Sequence, residues 1–178
     1  MRLHSYVVAR DFGFAPNPFH GYCTLGTCQS PVRSGVKEGD WVMGTGGKRM
    51  FGEHGHHNLS EHLIFLMEVS EVLRFDEYWD DSRFQLKKPQ VTGSKMFCYG
   101  DNIYPPAGSN QPAQVNSHHS QDSGRPHLEN MRGDKKVDAV LVSTNYWYFG
   151  INALEIDGRF LSYPIEGEKP LSVCHTRK

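Results

Sequence analysis

Val36-Lys-Glu-Gly-Asp-Trp-Val-Met-Gly44 is the stretch on which the fold turns. A polar turn at Gly39 and Asp40 feeds a short run in which Trp41 and Met43 face one side and Val42 the other, the two-residue alternation of a strand. Upstream, Leu3 to Arg10 (with Tyr6, Val7 and Val8) reads as a first strand, apolar enough to be buried on both faces. Downstream, Leu63-Ile-Phe-Leu-Met67 is apolar throughout and then alternates across Glu68-Val-Ser-Glu-Val72. It predicts one long strand, central at one end and nearer a sheet edge at the other.

The connections are rich in turn residues. Asp11-Phe-Gly-Phe-Ala-Pro-Asn-Pro-Phe19 carries two prolines that forbid helix. Its Phe12, Phe14 and Phe19 either wall a pocket or plug one end of a barrel. Tyr22 to Cys28 suits a short strand, and Ser30-Pro31 offers a cap with proline at the first helical position. Phe75, Tyr78 and Trp79 recur at helical spacing behind Asp76, and Val137 to Ser143 returns to strand pattern before the aromatic run Asn145-Tyr-Trp-Tyr-Phe-Gly150. Residues 105–135 form a long polar segment without periodicity, expected as an irregular lid or loop. Beyond Ile156 the chain is turn-rich (Asp157-Gly158, Tyr163-Pro164).

The bulk numbers fit one domain over all 178 residues: 38% hydrophobic and 22% charged, with 18 Gly and 10 Pro favouring short strands over long helices. Nineteen basic residues against 20 acidic exclude a globally basic nucleic-acid binder, so any such contact needs a local patch. No run approaches the roughly 20 apolar residues of a membrane span. The opening Met1 to Val8 is too short for a secretory signal, and Cys23, Cys28, Cys98 and Cys174 lack a disulfide-framework spacing. A reduced, cytoplasmic protein without a membrane partner is the expectation.

Two local motifs invite ligand readings. Gly44-Thr-Gly-Gly-Lys48 resembles a phosphate loop, but Val42 stands where the first glycine belongs and Arg49 replaces the Ser/Thr. As a hairpin loop it still offers backbone N–H groups with Lys48 and Arg49. Glu53-His-Gly-His-His57, near Glu61 and His62, crowds imidazoles onto one loop without the second element a structural zinc site requires.

The densest chemistry lies in Tyr99-Gly-Asp-Asn-Ile-Tyr104 and Asn116-Ser-His-His-Ser120. Asp101, Asn102, His118 and His119 are candidate catalytic groups: an imidazole titrating near neutrality moves protons, and a carboxylate orients it. Asp101, His118, His119 and His127 also offer a metal-binding set, leaving the metal question open. Ser117 and Ser120 sit beside the histidines, but no nucleophile elbow is present. Alternatively, Asp101 and Asn102 simply cap a turn and the histidines are lid residues.

Two resemblances meet in these strings. The N-terminal strand, the Pro/aromatic loop, the Gly39-Asp40 turn and the apolar strand ending in Glu71-Val72 resemble the PUA-like superfamily, particularly its EVE and ASCH branches. That resemblance covers the first half. It implies an α+β, mainly β, partly open barrel with short flanking helices. An aromatic base pocket would then lie among Phe14, Asn17, Phe19, Thr24 and Trp41. The nearly full-length resemblance is to the nucleotide modification associated domain family, second type. It is carried by Ser5-Tyr-Val-Val-Ala-Arg-Asp-Phe-Gly-Phe-Ala-Pro-Asn-Pro-Phe19, Phe75-Asp-Glu-Tyr-Trp79, Tyr99 to Tyr104 and Ser117-His-His-Ser120.

The family implies a bacterial or phage protein that handles modified nucleotides or DNA bases beside DNA-modification enzymes and in phage defence. Under that reading Tyr99, Tyr104, Trp147 and Tyr148 stack bases, while Asn17, Asp101 and Asn102 read edges. Lys48, Arg49, Lys87 and Lys88 meet phosphates. No cofactor is implied. The competing reading is a nucleotide- or base-processing enzyme using Asp101 with His118 and His119.

Overall fold

The computed structural model describes residues 1–52 and 55–157. Glu53 and His54, and the turn-rich segment after Asp157, lie outside the described residues. The chain runs β1 (Leu3–Asp11), β2 (Cys23–Leu25), α1 (Ser30–Gly35), β3 (Trp41–Gly52), β4 (Gly55–His57), β5 (His62–Glu68), β6 (Glu71–Leu73), α2 (Phe75–Asp80), a 3-10 turn (Ser82–Lys87), α3 (Lys95–Cys98), α4 (Leu128–Asp134), β7 (Val140–Ser143), β8 (Asn145–Tyr148), a second 3-10 turn (Gly150–Asn152) and β9 (Leu154–Glu155). The fold is α+β and mainly β. None of its described helices is long and apolar enough to cross a membrane.

The Gly39-Asp40 turn organises the larger sheet. Gly39 takes φ +81°, which a glycine adopts without the Cβ penalty. Asp40 is buried and accepts from the backbone amides of Arg2 (2.7 Å) and Lys37 (3.1 Å), while the Gly39 amide donates to the Val69 carbonyl at 2.8 Å. One turn thus ties the starts of β1 and β3 to the end of β5. β1 and β3 run parallel, with Leu3 opposite Trp41; β3–β5 and β5–β8 are antiparallel; β4 and β9 extend the sheet beside β3 and β5.

The second sheet is antiparallel, in the order β2-β7-β6. The expected single strand over Leu63 to Val72 breaks at Val69-Ser70. There the Val69 amide turns to the Asp40 carbonyl and the Ser70 amide to that of Val142. β6 thereby leaves the larger sheet and joins β7. The strands make two sheets that do not close into a barrel among the described residues.

Tyr6, Val8, Val42, Ile64, Phe65 and Met67 of the larger sheet pack with Cys23, Leu25 and Leu141 of the smaller. Val140 and Val142 alternate with Leu141 and face the other way, onto Tyr78 and Phe84. A third cluster, Phe14, Ile103 and Tyr104, joins the Pro/aromatic loop to the Tyr99–Tyr104 loop.

Three further expectations need correction. β1 buries one face only, Tyr6 and Val8, leaving Val7 exposed. Gly44 to Lys48 is no hairpin loop but the middle of β3, and its glycines are required there because a Cβ on Gly44 would overlap the Phe65 ring and one on Gly46 the backbone of Leu59. The polar segment after Gly108 holds one regular element, α4, capped by His127, whose Nδ1 accepts from the Asn130 amide.

Candidate functional site

Three groups of residues take up the candidates. The first is a buried polar network. Lys87, fully buried, donates from Nζ to Asn17 Oδ1 (2.7 Å), the Asn17 carbonyl (3.0 Å) and the Tyr22 carbonyl (2.9 Å). Asn17 Nδ2 donates in turn to the Tyr99 carbonyl, and Asn17 and Thr24 exchange both backbone hydrogen bonds.

Asp101, 1% exposed, accepts from Thr24 Oγ1 (2.8 Å) and the Tyr78 hydroxyl (2.7 Å). Burial raises its pKa, and the Lys87 charge with the Tyr78, Thr24 and Gly26 donors pulls it back. Asn102 Nδ2 donates to the Tyr78 carbonyl at 3.0 Å, and its amide donates to the Lys87 carbonyl. Asp101, Asn102, Asn17 and Thr24 are therefore interior groups, each satisfied by protein partners as buried polar groups require. Lys87, expected to meet phosphate, belongs to this interior. Lys88 lies over the Trp79 ring at 3.9 Å.

The second group is an aromatic cavity of about 300 Å³ beside the Pro/aromatic loop. Phe12, Phe19, Tyr99, Tyr148 and Phe149 are its aromatic lining, with Asp11, His57 and Lys95 among its polar lining. Phe12 and Tyr99 lie nearly parallel (centroids 5.5 Å, 18°). Tyr148 donates its hydroxyl to Asp11, whose pKa is raised by burial and restrained by Tyr148 and the Gly13 amide. Trp41 and Trp147 stack on each other (6.2 Å, 14°) and are not among the residues lining this cavity. Lys48 and Arg49 are exposed on β3.

The third group joins residues far apart in the chain. His119, 5% exposed, has Nε2 3.4 Å from Cys28 Sγ and Nδ1 3.0 Å from Asp134 Oδ2. Asp134 also accepts from the Cys28 amide at Oδ1 (2.6 Å) and from the Tyr104 hydroxyl at Oδ2 (2.7 Å). The carboxylate that meets His119 is thus Asp134, while Asp101 belongs to the Lys87 network. Phe14 packs on His119 with ring centroids 4.6 Å apart. His118 is exposed and lies against Phe12, Phe14 and Tyr99. Desolvation by this surround, then His119 and Arg10, lowers its pKa. His118 and Phe14 thereby bridge the cavity and the Cys28 cluster.

Cys28 and Asp134 were not singled out from sequence. Neither sits in a recognisable motif, and they lie 106 positions apart. One donor atom from each of Cys28, His119 and Asp134 lies within 4.8 Å of the others, the only such trio of possible metal ligands among the described residues. Three protein donors already fill the Asp134 carboxylate, and both His119 ring nitrogens are engaged.

The sequence matches the family model described as Nucleotide modification associated domain 2 across residues 1–170, and the chain belongs to that family. The family places it in the context of nucleotide-modification systems. No curated protein and no solved structure matches it.

Proposed function

We propose that the protein binds a modified nucleotide or DNA base in the cavity between Phe12, Phe19, Tyr99 and Tyr148, as part of a bacterial or phage DNA-modification system. The observation that carries this reading is the near-parallel Phe12–Tyr99 pair at the wall of a 300 Å³ recess. A nucleobase is a flat π-face, and stacking on an aromatic side chain contributes about 1–3 kcal/mol per base. The Asp11 carboxylate supplies an acceptor for an exocyclic amino group, and Lys95 a cation for a phosphate. A cytoplasmic setting, partnership with DNA-modification enzymes, kinship with PUA-like base readers and a part in phage defence belong to the same proposal. The family match supports the nucleotide-modification context of that proposal.

The test is a thermal-shift screen with canonical and modified nucleotides and short DNA. A ligand at 100 times its dissociation constant stabilises the native state by about 2.7 kcal/mol. The expected result is a shift by one modified nucleotide that its unmodified parent does not give and that Tyr99→Ala removes. A shift that survives both Tyr99→Ala and Phe12→Ala, or no shift with any nucleotide, overturns the reading.

A further inference from the structure

We propose that Cys28, His119 and Asp134 form a thiol–imidazole–carboxylate relay, a nucleophilic site that removes or transfers an acyl group carried by a nucleotide. The acyl-transfer part stands on this cluster alone, whereas the nucleotide part rests on the ligand reading above.

The order of the three groups is the one such chemistry needs: a nucleophile within reach of a base, and the base oriented by a third group. His119 Nε2 faces Cys28 Sγ at 3.4 Å, and Nδ1 faces Asp134 Oδ2 at 3.0 Å. With the ring proton on Nδ1 and given to Asp134, Nε2 presents its lone pair to the thiol.

The surroundings fix each member. The His119 amide donates to Ser117 Oγ at 3.2 Å, and its carbonyl accepts from Asn130 Nδ2 at 3.0 Å. Arg33, 1% exposed, holds both loops. Its Nε donates to the Cys28 carbonyl at 2.9 Å, one terminal nitrogen donates to the Asp134 carbonyl, and the other donates to those of Val137 and Ala139. Cys28 itself has φ +56°, in the left-handed region that a non-glycine residue occupies only when its surroundings hold it there.

The other described cysteines contrast with it. Burial pushes the Cys23 thiol up to about 12, and Cys98 Sγ donates among the carbonyls of Gln90, Val91 and Gly93. Of the three, Cys28 is the one with a hydrogen-bonded imidazole. Arg33 spends its donors on backbone carbonyls and offers no fork to a phosphoryl group, so the site suits a carbonyl carbon better than phosphorus.

The step balances without a redox partner. As the Sγ–C bond forms, the thiol proton passes to Nε2 and the carbonyl π pair moves to oxygen. Collapse expels the alcohol or amine of the nucleotide with the bonding pair, and Nε2 returns the proton to it. Water then attacks the thioester, His119 takes its proton, and the S–C bond breaks to release a carboxylic acid and the thiol. Asp134 accepts from Nδ1 and positions the imidazole.

The experiment alkylates the full-length protein with iodoacetamide at neutral pH and maps each cysteine by mass spectrometry, then repeats the mapping with p-nitrophenyl acetate. Cys28 is expected to alkylate at least about tenfold faster than Cys98 within the same molecule and to take up the acetyl group. His119→Gln is expected to remove both, since a positioned base contributes about 10²–10⁴ in rate. The wild-type comparison of the two cysteines stands even where His119→Gln does not fold.

Equal alkylation of Cys28 and Cys98, or no acetyl transfer to Cys28, overturns the proposal. So does stoichiometric zinc that shields Cys28, which makes the cluster a metal site. A panel of N-acyl deoxynucleosides then tests the substrate. Acetyl transfer to Cys28 without any N-acyl deoxynucleoside turnover overturns the nucleotide part and leaves the relay.

Discussion

Lys87 Nζ lies 2.7 Å from Asn17 Oδ1, inside a core that no solvent reaches. Asn17 Oδ1, the Asn17 carbonyl and the Tyr22 carbonyl all accept from Nζ, a number that matches the three protons of an ammonium. The Asp101 charge opposes the burial that would strip that proton. The network draws the Pro/aromatic loop, β2, the first 3-10 turn and the Tyr99–Tyr104 loop to one point. Lys87→Met removes the charge, leaves Asp101 without it and orphans three acceptors. Each buried acceptor left without its donor costs about 1–3 kcal/mol. Urea denaturation is expected to show that loss for Lys87→Met, and a change under 1 kcal/mol contradicts the role given to the network.

The same lysine sets a pH dependence of definite sign. Burial pushes Lys87 down to about 8 from its ordinary 10.5, with Asp101 and Cys23 acting against the shift. Between those values the unfolded chain still binds the proton that the folded chain has released. Stability from this group therefore rises with pH across that window, by up to about 1.4 kcal/mol per pH unit. Unfolding free energies measured from pH 7 to 10 are expected to climb relative to Lys87→Met. Cε chemical shifts of labelled lysine read the titration directly, and a midpoint above 10 rules it out.

The strands were legible because period-two patterning is local: the Gly39-Asp40 turn, the apolar half of the Leu63–Val72 run and β7 stand where their residues predict, while the break at Val69-Ser70 depends on the Asp40 and Val142 carbonyls. The exceptions have particular causes. Gly44 and Gly46 look like a loop because glycine disfavours strands, and only Phe65 and Leu59 in the neighbouring chain segments explain their place in β3. Lys87-Lys88 reads as a surface patch, yet the 3-10 turn sends Lys87 inward, where three carbonyl oxygens converge, and Lys88 outward over Trp79.

The site was half legible for a similar reason. His118, His119, Tyr99 and Tyr104 announced themselves as dense polar and aromatic strings. Cys28 and Asp134 carry no local signal, because what pairs them is the meeting of the α1 and α4 ends, fastened by Arg33 across about a hundred residues of chain. Asp101 carried a strong local signal and lies in the Lys87 network.

Tyr104 shows how the two polar groups divide the Tyr99–Tyr104 loop between them. Asp101 faces the Lys87 network, while the Tyr104 hydroxyl, three residues on, donates to Asp134 Oδ2 at 2.7 Å. Burial first, then the Asp134 charge, raises its pKa, so the phenol stays protonated and remains a donor. Tyr104→Phe deletes that donor without changing the ring that packs on Phe75. A hydrogen bond to a charged group contributes about 1.5–3 kcal/mol. Chemical denaturation of Tyr104→Phe is expected to show a loss in that range. His119 and the Cys28 amide still hold Asp134, so the variant keeps its native circular dichroism. A loss below about 0.5 kcal/mol shows instead that Asp134 is fully stabilised by its other two donors, and that Tyr104 serves only as a packed ring.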